Sequence, residues 1–222
     1  MKHPTLVISN ICLCISLIAG LLSWKRFDVI FRILMAQLLL GLIAQLVGSF
    51  SNKYYHSNTA VYNGYIFLEL WLIGLLGLRM IHEKLLRTIL LTAMVMCALV
   101  DVLSMWSTGI HVLANWGYIC ASILFTITFL FIVVKMTFAD ESSLLIKSPK
   151  FWLALGILIY YGCTVPIFGF FNYLLHYHRA IAAKVYYIND LLSIVRYLFM
   201  FVAILLVRGR NQNSTTVKPV DS

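Results

Sequence analysis

Long runs of apolar residues dominate the chain, and short clusters of polar and charged residues separate them. A helix needs about 20 mostly apolar residues to cross the hydrocarbon core of a bilayer. Seven runs are close to this length, so the pattern predicts seven transmembrane helices joined by short connections. The predicted helices are Thr5–Leu22, Val29–Phe50, Val61–Met80, Thr88–Trp106, Val112–Met136, Phe151–Leu174 and Tyr187–Val207.

The composition indicates that lipid is the solvent of this chain. Of the 222 residues, 62% are hydrophobic and only 11% are charged, and the mean hydropathy is +0.92. A soluble domain typically has about 25% charged residues. We therefore predict an all-α integral membrane bundle over residues 1–208 and a disordered cytoplasmic tail over residues 209–222. We expect no soluble catalytic domain, so any signal would pass through a partner.

The net charge of +9 indicates topology rather than nucleic-acid binding, because basic residues collect on the cytoplasmic side of membrane proteins. Twelve basic residues lie in or beside the first, third and fifth connections and the C-terminal segment: Lys25, Arg26, Arg32, Arg79, Lys84, Arg87, Lys135, Lys147, Lys150, Arg208, Arg210 and Lys218. Four lie at the opposite side: Lys2, Lys53, Arg179 and Lys184. This asymmetry predicts an N-terminus outside the cytoplasm and a C-terminus inside it.

Apart from the basic residues at the cytoplasmic helix ends, four charged residues fall inside the predicted helices: Glu69, Asp101, Asp190 and Arg196. Inserting such a side chain into a membrane costs about 2.5–3.5 kcal/mol, so each is a candidate for pairing or function. With a rise of about 1.5 Å per residue, Glu69 lies roughly 12 Å and Arg196 roughly 13–14 Å from the outer surface. We therefore predict a buried ion pair between Glu69 and Arg196 that joins the third helix to the seventh.

Polar residues also recur at helical spacing along several predicted helices. Residues three, four or seven apart share a helix face, and lipid offers them no hydrogen-bond partners. We expect them to turn inward and to meet in a polar cavity in the outer half of the bundle. The predicted cavity residues are Tyr62, Tyr65, Glu69, Asp101, Asn115, Tyr118, Tyr161, Thr164, Asn189, Ser193 and Arg196. Two interpretations stay open: interhelical bonds that only fix the packing, or a site for a ligand or ion.

Several classes of membrane protein require residues that this sequence lacks. No lysine lies in the middle of a predicted helix to form a retinal Schiff base, and no histidine lies there to bind haem. The patterns H-E-x-x-H and G-x-S-x-G are missing. So are the intramembrane histidines of ceramidase-like hydrolases and the proline-glutamine motif of seven-helix sugar transporters. We therefore expect no metal, no cofactor and no catalytic residue.

Three segments resemble a group of small bacterial seven-helix inner-membrane proteins: Asn58–Tyr65 continuing to Glu69, Phe151–Tyr160 and Ile188–Tyr197. Members of this group are often encoded beside sensor histidine kinases. The resemblance implies a multi-pass protein of the inner membrane with a sensing or accessory role. It also implies a membrane histidine kinase or another signalling protein as partner, in addition to the lipid bilayer. The asparagine, tyrosine and glutamate of the group's third-helix segment map to Asn58, Tyr62 and Glu69.

The leading hypothesis is a non-enzymatic sensory or signalling-accessory membrane protein whose cavity binds a small ligand or ion. Glu69 and Arg196 would then latch two helices together, and the connection Thr137–Lys150 would face the partner. The alternative is transport of a small solute or proton, with Asp101, Glu69 and Asp190 as a relay. An intramembrane lipid-modifying enzyme is the second alternative. The ligand, the partner and the oligomeric state stay open, and no nucleic acid is expected.

Overall fold

The structure, a computed structural model, describes residues 4–110, 112, 115–139, 145–177 and 179–215. Every regular element in this part of the chain is helical. The long helices are α1 Pro4–Ser23, α2 Val29–Tyr55, α3 Thr59–Met80, α4 Lys84–Thr108, α5 Asn115–Ala139, α6 Pro149–Tyr177 and α7 Arg179–Thr215. A short 3₁₀ turn, Trp24–Arg26, lies between α1 and α2. All seven helices contain a stretch long and apolar enough to cross a membrane, so the predicted number is confirmed.

Several helices differ in extent from the predicted apolar segments. Helix α7 begins at Arg179 rather than at Tyr187, and α5 begins at Asn115 rather than at Val112. Helix α7 also continues to Thr215, inside the range predicted as a disordered tail, whereas positions 216–222 lie outside the described residues. Hydrophobicity marks only the part of a helix that crosses the membrane. Backbone hydrogen bonds can continue a helix into the more polar residues on either side of that part.

The helices pack as a closed ring. Each contacts the next one along the chain, α3 also contacts α5, and α1 closes the ring against α7. The starts of α1, α3, α5 and α7 lie at one end of the bundle, which we call the N-terminal end. The other end is the C-terminal end. Near the N-terminal end, Thr5 Oγ1 donates a hydrogen bond to Asp190 Oδ2 at 3.0 Å. At the C-terminal end, Arg26 Nη1 donates a hydrogen bond to the carbonyl oxygen of Arg208 at 2.9 Å.

Fully buried apolar side chains fill the C-terminal half of the bundle. We call six of them the apolar layer: Leu34 and Leu38 of α2, Ile73 of α3, Leu153 and Ile157 of α6, and Met200 of α7. In lipid, such residues stabilise the bundle through van der Waals packing, because lipid tails are as apolar as the side chains themselves. The apolar layer separates the middle of the bundle from its C-terminal end.

The outer surface of the bundle is apolar along the membrane-crossing segments. Large side chains such as Ile18, Leu46, Leu103 and Ile127 are more than half exposed. In water, a continuous surface of this kind would drive aggregation, whereas lipid tails solvate it. The bundle is therefore a multi-pass membrane domain.

Helices α4 and α5 approach each other closely at Gly117. A Cβ atom at that position would lie 2.7 Å from the Cα atom of Asp101. A main-chain atom cannot move aside as the end of a flexible side chain does. Glycine therefore stands where two helix backbones nearly touch, as is common between membrane helices.

We expect Gly117→Ala to lower the free energy of unfolding by about 1–3 kcal/mol, because α4 and α5 must separate to admit the methyl group. Gly64→Ala is the matched control, since no atom lies within 4 Å of a Cβ placed at Gly64 of α3. Alanine there is expected to be neutral or to stabilise by up to about 1 kcal/mol. Thermal unfolding of the detergent-purified variants measures both effects, and equal melting temperatures would contradict the close approach.

Candidate functional site

The middle of the bundle contains a buried pair of opposite charges. Arg196 Nη1 lies 2.8 Å from Glu69 Oε1, and the two side chains are only 2% and 3% exposed. The contact joins α3 to α7, as their matching depth predicts. An arginine at this depth without a partner would be strongly unfavourable, because its charge would be buried without compensation.

The same oxygen of Glu69 accepts two further hydrogen bonds. Tyr65 Oη donates at 2.7 Å from the preceding turn of α3, and Gln37 Nε2 donates at 3.1 Å from α2. One carboxylate oxygen thus receives donors from three helices. Hydrogen bonds to a charged acceptor are roughly twice as strong as those between neutral groups. Glu69 Oε1 is therefore the point at which α2, α3 and α7 are held together.

Aromatic rings surround the guanidinium group of Arg196. Its Cζ atom lies 4.0 Å from the ring centroid of Tyr160 and 5.2 Å from that of Tyr197. Its Nη2 atom donates to Tyr197 Oη at 3.3 Å. Ring faces attract a cation through their quadrupole, so both rings stabilise the charged form. The Nε atom is buried and has no hydrogen-bond partner among the described residues, which leaves one donor unused.

A cavity of about 480 Å³ lies beside the ion pair. Its lining includes Glu69 and Arg196 at one limit and Asn58 and Thr59, at the start of α3, at the other. Ten residues of helix separate Thr59 from Glu69, which corresponds to about 15 Å. The cavity therefore reaches from the N-terminal end of the bundle to the ion pair. Its volume is within the range of about 300–1,000 Å³ that is usual for small-molecule pockets.

Seven of the predicted cavity residues line this space: Tyr62, Tyr65, Glu69, Tyr118, Asn189, Ser193 and Arg196. They belong to α3, α5 and α7. The three predicted residues of α3 all line this space, and so do the three of α7. The helical spacing therefore identified the correct faces of both helices.

Asp101 and Asn115 do not line the cavity, and the prediction was wrong for both. Asp101 is buried where α4 meets Gly117 of α5. Neither of its carboxylate oxygens has a hydrogen-bond partner within the described part of the chain. Asn115 is buried at the start of α5. The reason for Asp101 is the ring geometry: α3 and α5 contact each other, so α4 lies outside them and its buried face meets α5 rather than the interior.

Tyr161 and Thr164 also lie outside the cavity, which corrects the prediction for α6. The Tyr161 ring packs edge-on against Phe125, with 5.0 Å between the ring centroids. Thr164 Oγ1 donates to Ser122 Oγ at 3.4 Å. Both residues therefore hold α6 against α5. The preceding Tyr160 lines the cavity instead, because one residue rotates the direction of a side chain by about 100° around a helix.

Tyr160, Tyr197 and Ser9 also line the cavity, although they were not among the predicted cavity residues. Tyr160 and Tyr161 are adjacent and point to two different faces of α6. The spacing of Tyr161 and Thr164 favoured the face of Tyr161, whereas Tyr160 lines the cavity. A usable signal was the arginine itself, since a buried guanidinium needs aromatic or hydrogen-bonding neighbours. A periodic signal was present for Ser9, since Ser9, Ser16 and Ser23 recur every seven residues and share the buried face of α1.

The lining is suited to binding a small molecule. It offers hydroxyl groups, side-chain amides and tyrosine rings, which are the groups that orient ligands in pockets. Within the described residues, no group of three or more His, Cys, Asp and Glu side chains is arranged to hold a metal ion. The geometry therefore supports recognition through hydrogen bonds and ring contacts.

We expect Glu69→Gln and Arg196→Gln each to lower the free energy of unfolding by about 3–5 kcal/mol, because each leaves a buried charge without its partner. The double variant is expected to lose less than the sum of the two single losses, since its second change removes the stranded charge. Unfolding in mixed detergent micelles measures the three values. Strictly additive losses would contradict a direct interaction between the two side chains.

Lys135→Gln is the matched control for this cycle. Lys135 pairs with Glu83 at the C-terminal end of the bundle, where the two side chains are 48% and 40% exposed. An ion pair in contact with water contributes at most about 1 kcal/mol. A loss for Lys135→Gln as large as that for Arg196→Gln would show that charge removal in general, and not the buried pair, causes the effect.

Comparison of the chain with protein-family models, with curated proteins and with solved structures finds no match. The resemblance carried by Asn58–Tyr65 and the two later segments therefore stays a prediction. The fold identifies the class of the chain as a multi-pass membrane protein with seven helices, and any narrower function has to be argued from the geometry of the cavity.

Proposed function

We propose that this protein binds a small ligand in the cavity and reports it to a partner, as a sensory or signalling-accessory membrane protein. The observation that supports the proposal is the cavity itself, about 480 Å³ of space between the N-terminal end and the Glu69–Arg196 pair. Interhelical hydrogen bonds that only fix the packing would need no such space between the helices.

Polar groups around the cavity keep unused hydrogen-bonding capacity. Arg196 Nε and Asn189 Oδ1 are buried and without partners among the described residues, and both residues belong to the lining. A buried polar atom without a partner costs about 1–3 kcal/mol. A ligand that bonds to these atoms recovers that cost, which favours a binding site over a purely structural network.

The ion pair provides a route from the cavity to the C-terminal end. It joins α3 to α7, and α7 continues from Arg196 to Thr215. A ligand that prefers one arrangement of α7 over another shifts the population between them. A membrane histidine kinase or another signalling protein is the proposed partner. Its proposed contact, Thr137–Lys150, is at the same end, although positions 140–144 lie outside the described residues.

The proposal includes an orientation in the membrane. The N-terminal end of the bundle faces away from the cytoplasm, and the membrane is a bacterial inner membrane. Support comes from the twelve basic residues on one set of connections and the four on the other, because the more basic side stays in the cytoplasm. In this orientation, the cavity is open to solutes on the side of the membrane away from the cytoplasm.

Transport through the same cavity is the alternative. It would require the apolar layer to open, since Leu34, Ile73, Met200 and their neighbours are fully buried on the C-terminal side of the ion pair. The acidic relay would also lack Asp101, which lies outside the cavity lining. Binding without passage requires neither an opening of the apolar layer nor an acidic relay, so we favour it.

Filling the cavity is expected to abolish ligand binding. Ala44 lines the cavity from α2, so Ala44→Trp would occupy part of its volume. Leu46→Trp is the control, because Leu46 lies on the same helix and is 64% exposed to lipid. We expect native mass spectrometry of nanodisc samples to show a retained small molecule in wild type and Leu46→Trp but not in Ala44→Trp. Adding that molecule should raise the melting temperature of wild type and of Leu46→Trp but not that of Ala44→Trp.

Two outcomes would count against this function. Equal small-molecule content in wild type and Ala44→Trp would mean that the cavity is not the binding site. Flux of the retained molecule across reconstituted liposomes, present in wild type and lost in Ala44→Trp, would show transport instead of sensing.

The orientation is tested separately by reporter fusions to the C-terminus. We expect a fluorescent protein fused there to fluoresce and alkaline phosphatase fused at the same point to be inactive, because the C-terminus remains in the cytoplasm. An active phosphatase combined with a dark fluorescent protein would reverse the orientation and place the cavity mouth on the cytoplasmic side.

A further inference from the structure

We infer that the cavity takes an uncharged, ring-shaped solute with both hydrogen-bond donors and acceptors, the chemistry shared by sugars and nucleosides. The inference rests on the proposed ligand-binding function and specifies the class of ligand. It follows from the paired charges at the inner limit of the cavity, from two polar groups that lack partners, and from the tyrosine rings of the lining.

The charges at the inner limit of the cavity are already paired. Glu69 Oε1 lies 2.8 Å from Arg196 Nη1 and also accepts hydrogen bonds from Tyr65 and Gln37. A carboxylate ligand would compete with Glu69 for Arg196, and an ammonium ligand would compete with Arg196 for Glu69. Either exchange leaves a buried charge without its partner, which is strongly unfavourable. An uncharged ligand leaves the pair intact.

Asp190 adds a charge near the mouth of the cavity. It lies three residues into the span that the sequence predicts to begin at Tyr187, and its Oδ2 accepts a hydrogen bond from Thr5 Oγ1 at 3.0 Å. Water and salt screen a charge close to the bilayer surface. Asp190 therefore has little influence on the charge of a ligand that reaches Arg196.

Two polar groups define the hydrogen-bonding pattern of the ligand. Arg196 Nε requires an acceptor and Asn189 Oδ1 requires a donor, since neither has a partner in the described part of the chain. The two residues are seven apart on α7, so they share one face and lie about 10.5 Å apart along the helix axis. A ligand that reaches both carries an acceptor at one end and a donor near the other, over roughly the length of a nucleoside or a disaccharide.

Tyrosine rings favour a flat ligand. Tyr62 and Tyr65 line the cavity from α3, Tyr118 from α5 and Tyr160 from α6. The hydroxyl oxygens of Tyr118 and Tyr160 lie 3.2 Å apart, and Phe168 packs edge-on against Tyr118 with 4.8 Å between centroids. These contacts hold the rings in place. The rings of Tyr62 and Tyr65 are only partly buried, so a ring-shaped solute can stack on them while its edge makes hydrogen bonds.

The test compares ligands that share a ring and differ in charge. Each set contains a neutral, an amine and a carboxylate member, for example glucose, glucosamine and glucuronate, with corresponding sets built on a nucleoside and on benzyl alcohol. Binding to the full-length protein in nanodiscs is measured by titration calorimetry. We expect the neutral member of at least one set to bind about tenfold or more tightly than its charged relatives, because it leaves the ion pair intact.

Two variants test the assigned contacts. Asn189→Ala removes the unpaired acceptor, and Arg196→Lys keeps the positive charge but removes the Nε donor. We expect each to weaken binding of the neutral ligand by about tenfold, which is the usual effect of one lost hydrogen bond to a buried polar group. Thr88→Val is the control, since Thr88 is exposed on α4 and bonds only to its own helix. If Arg196→Lys does not fold, Asn189→Ala decides the contact.

The outcomes separate this inference from the proposed function. Tighter binding of an amine or a carboxylate would overturn the uncharged class and leave ligand binding in place. Unchanged affinity in Asn189→Ala would overturn the assigned contact. If no set binds, the charge of the molecule retained by the wild-type protein decides the class. If no set binds and nothing is retained, both the inference and the proposed function fail.

Discussion

An arginine inside a membrane needs a counter-charge, and this requirement organises the centre of the bundle. Arg196 meets it with Glu69, and Glu69 in turn collects donors from α2 and from its own helix. The remaining faces of the guanidinium lie against tyrosine rings. Because these partners are spread over α2, α3, α6 and α7, satisfying one charge fixes the relative positions of the four helices. The polar centre thus determines which helix faces point inward.

The cavity exists because small residues on α2 stand opposite large rings on other helices. A Cβ atom on Gly41 would lie 3.8 Å from Tyr197 Oη and 3.9 Å from Tyr65 Oη, and one on Gly48 would lie 3.5 Å from the ring of Tyr62. Ala44, between them, also lines the space. On the C-terminal side of the ion pair, α2 instead presents the fully buried leucines Leu34 and Leu38. One helix therefore supplies both the open and the closed half of the interior.

The sequence predicted the features that depend on position along a single helix. Span length gave the seven helices, and equal depth paired Glu69 with Arg196, because no other acid lies at that level. The rotation of each helix within the ring was harder to predict. Asp101 turned out to face α5, because the contact between α3 and α5 excludes α4 from the interior. Tyr160 rather than Tyr161 faces the cavity, since spacing on α6 alone does not show which neighbour each face meets.

Helix α7 is long enough to act as a lever. It has 37 residues, which corresponds to about 55 Å, and Thr215 lies about 28 Å beyond Arg196 along its axis. A tilt of about 5° around the ion pair would move that end by about 2.5 Å, a distance comparable to the length of a hydrogen bond. A rearrangement too small to open a path through the apolar layer would thus be large enough to break or form a hydrogen bond at the end of the helix.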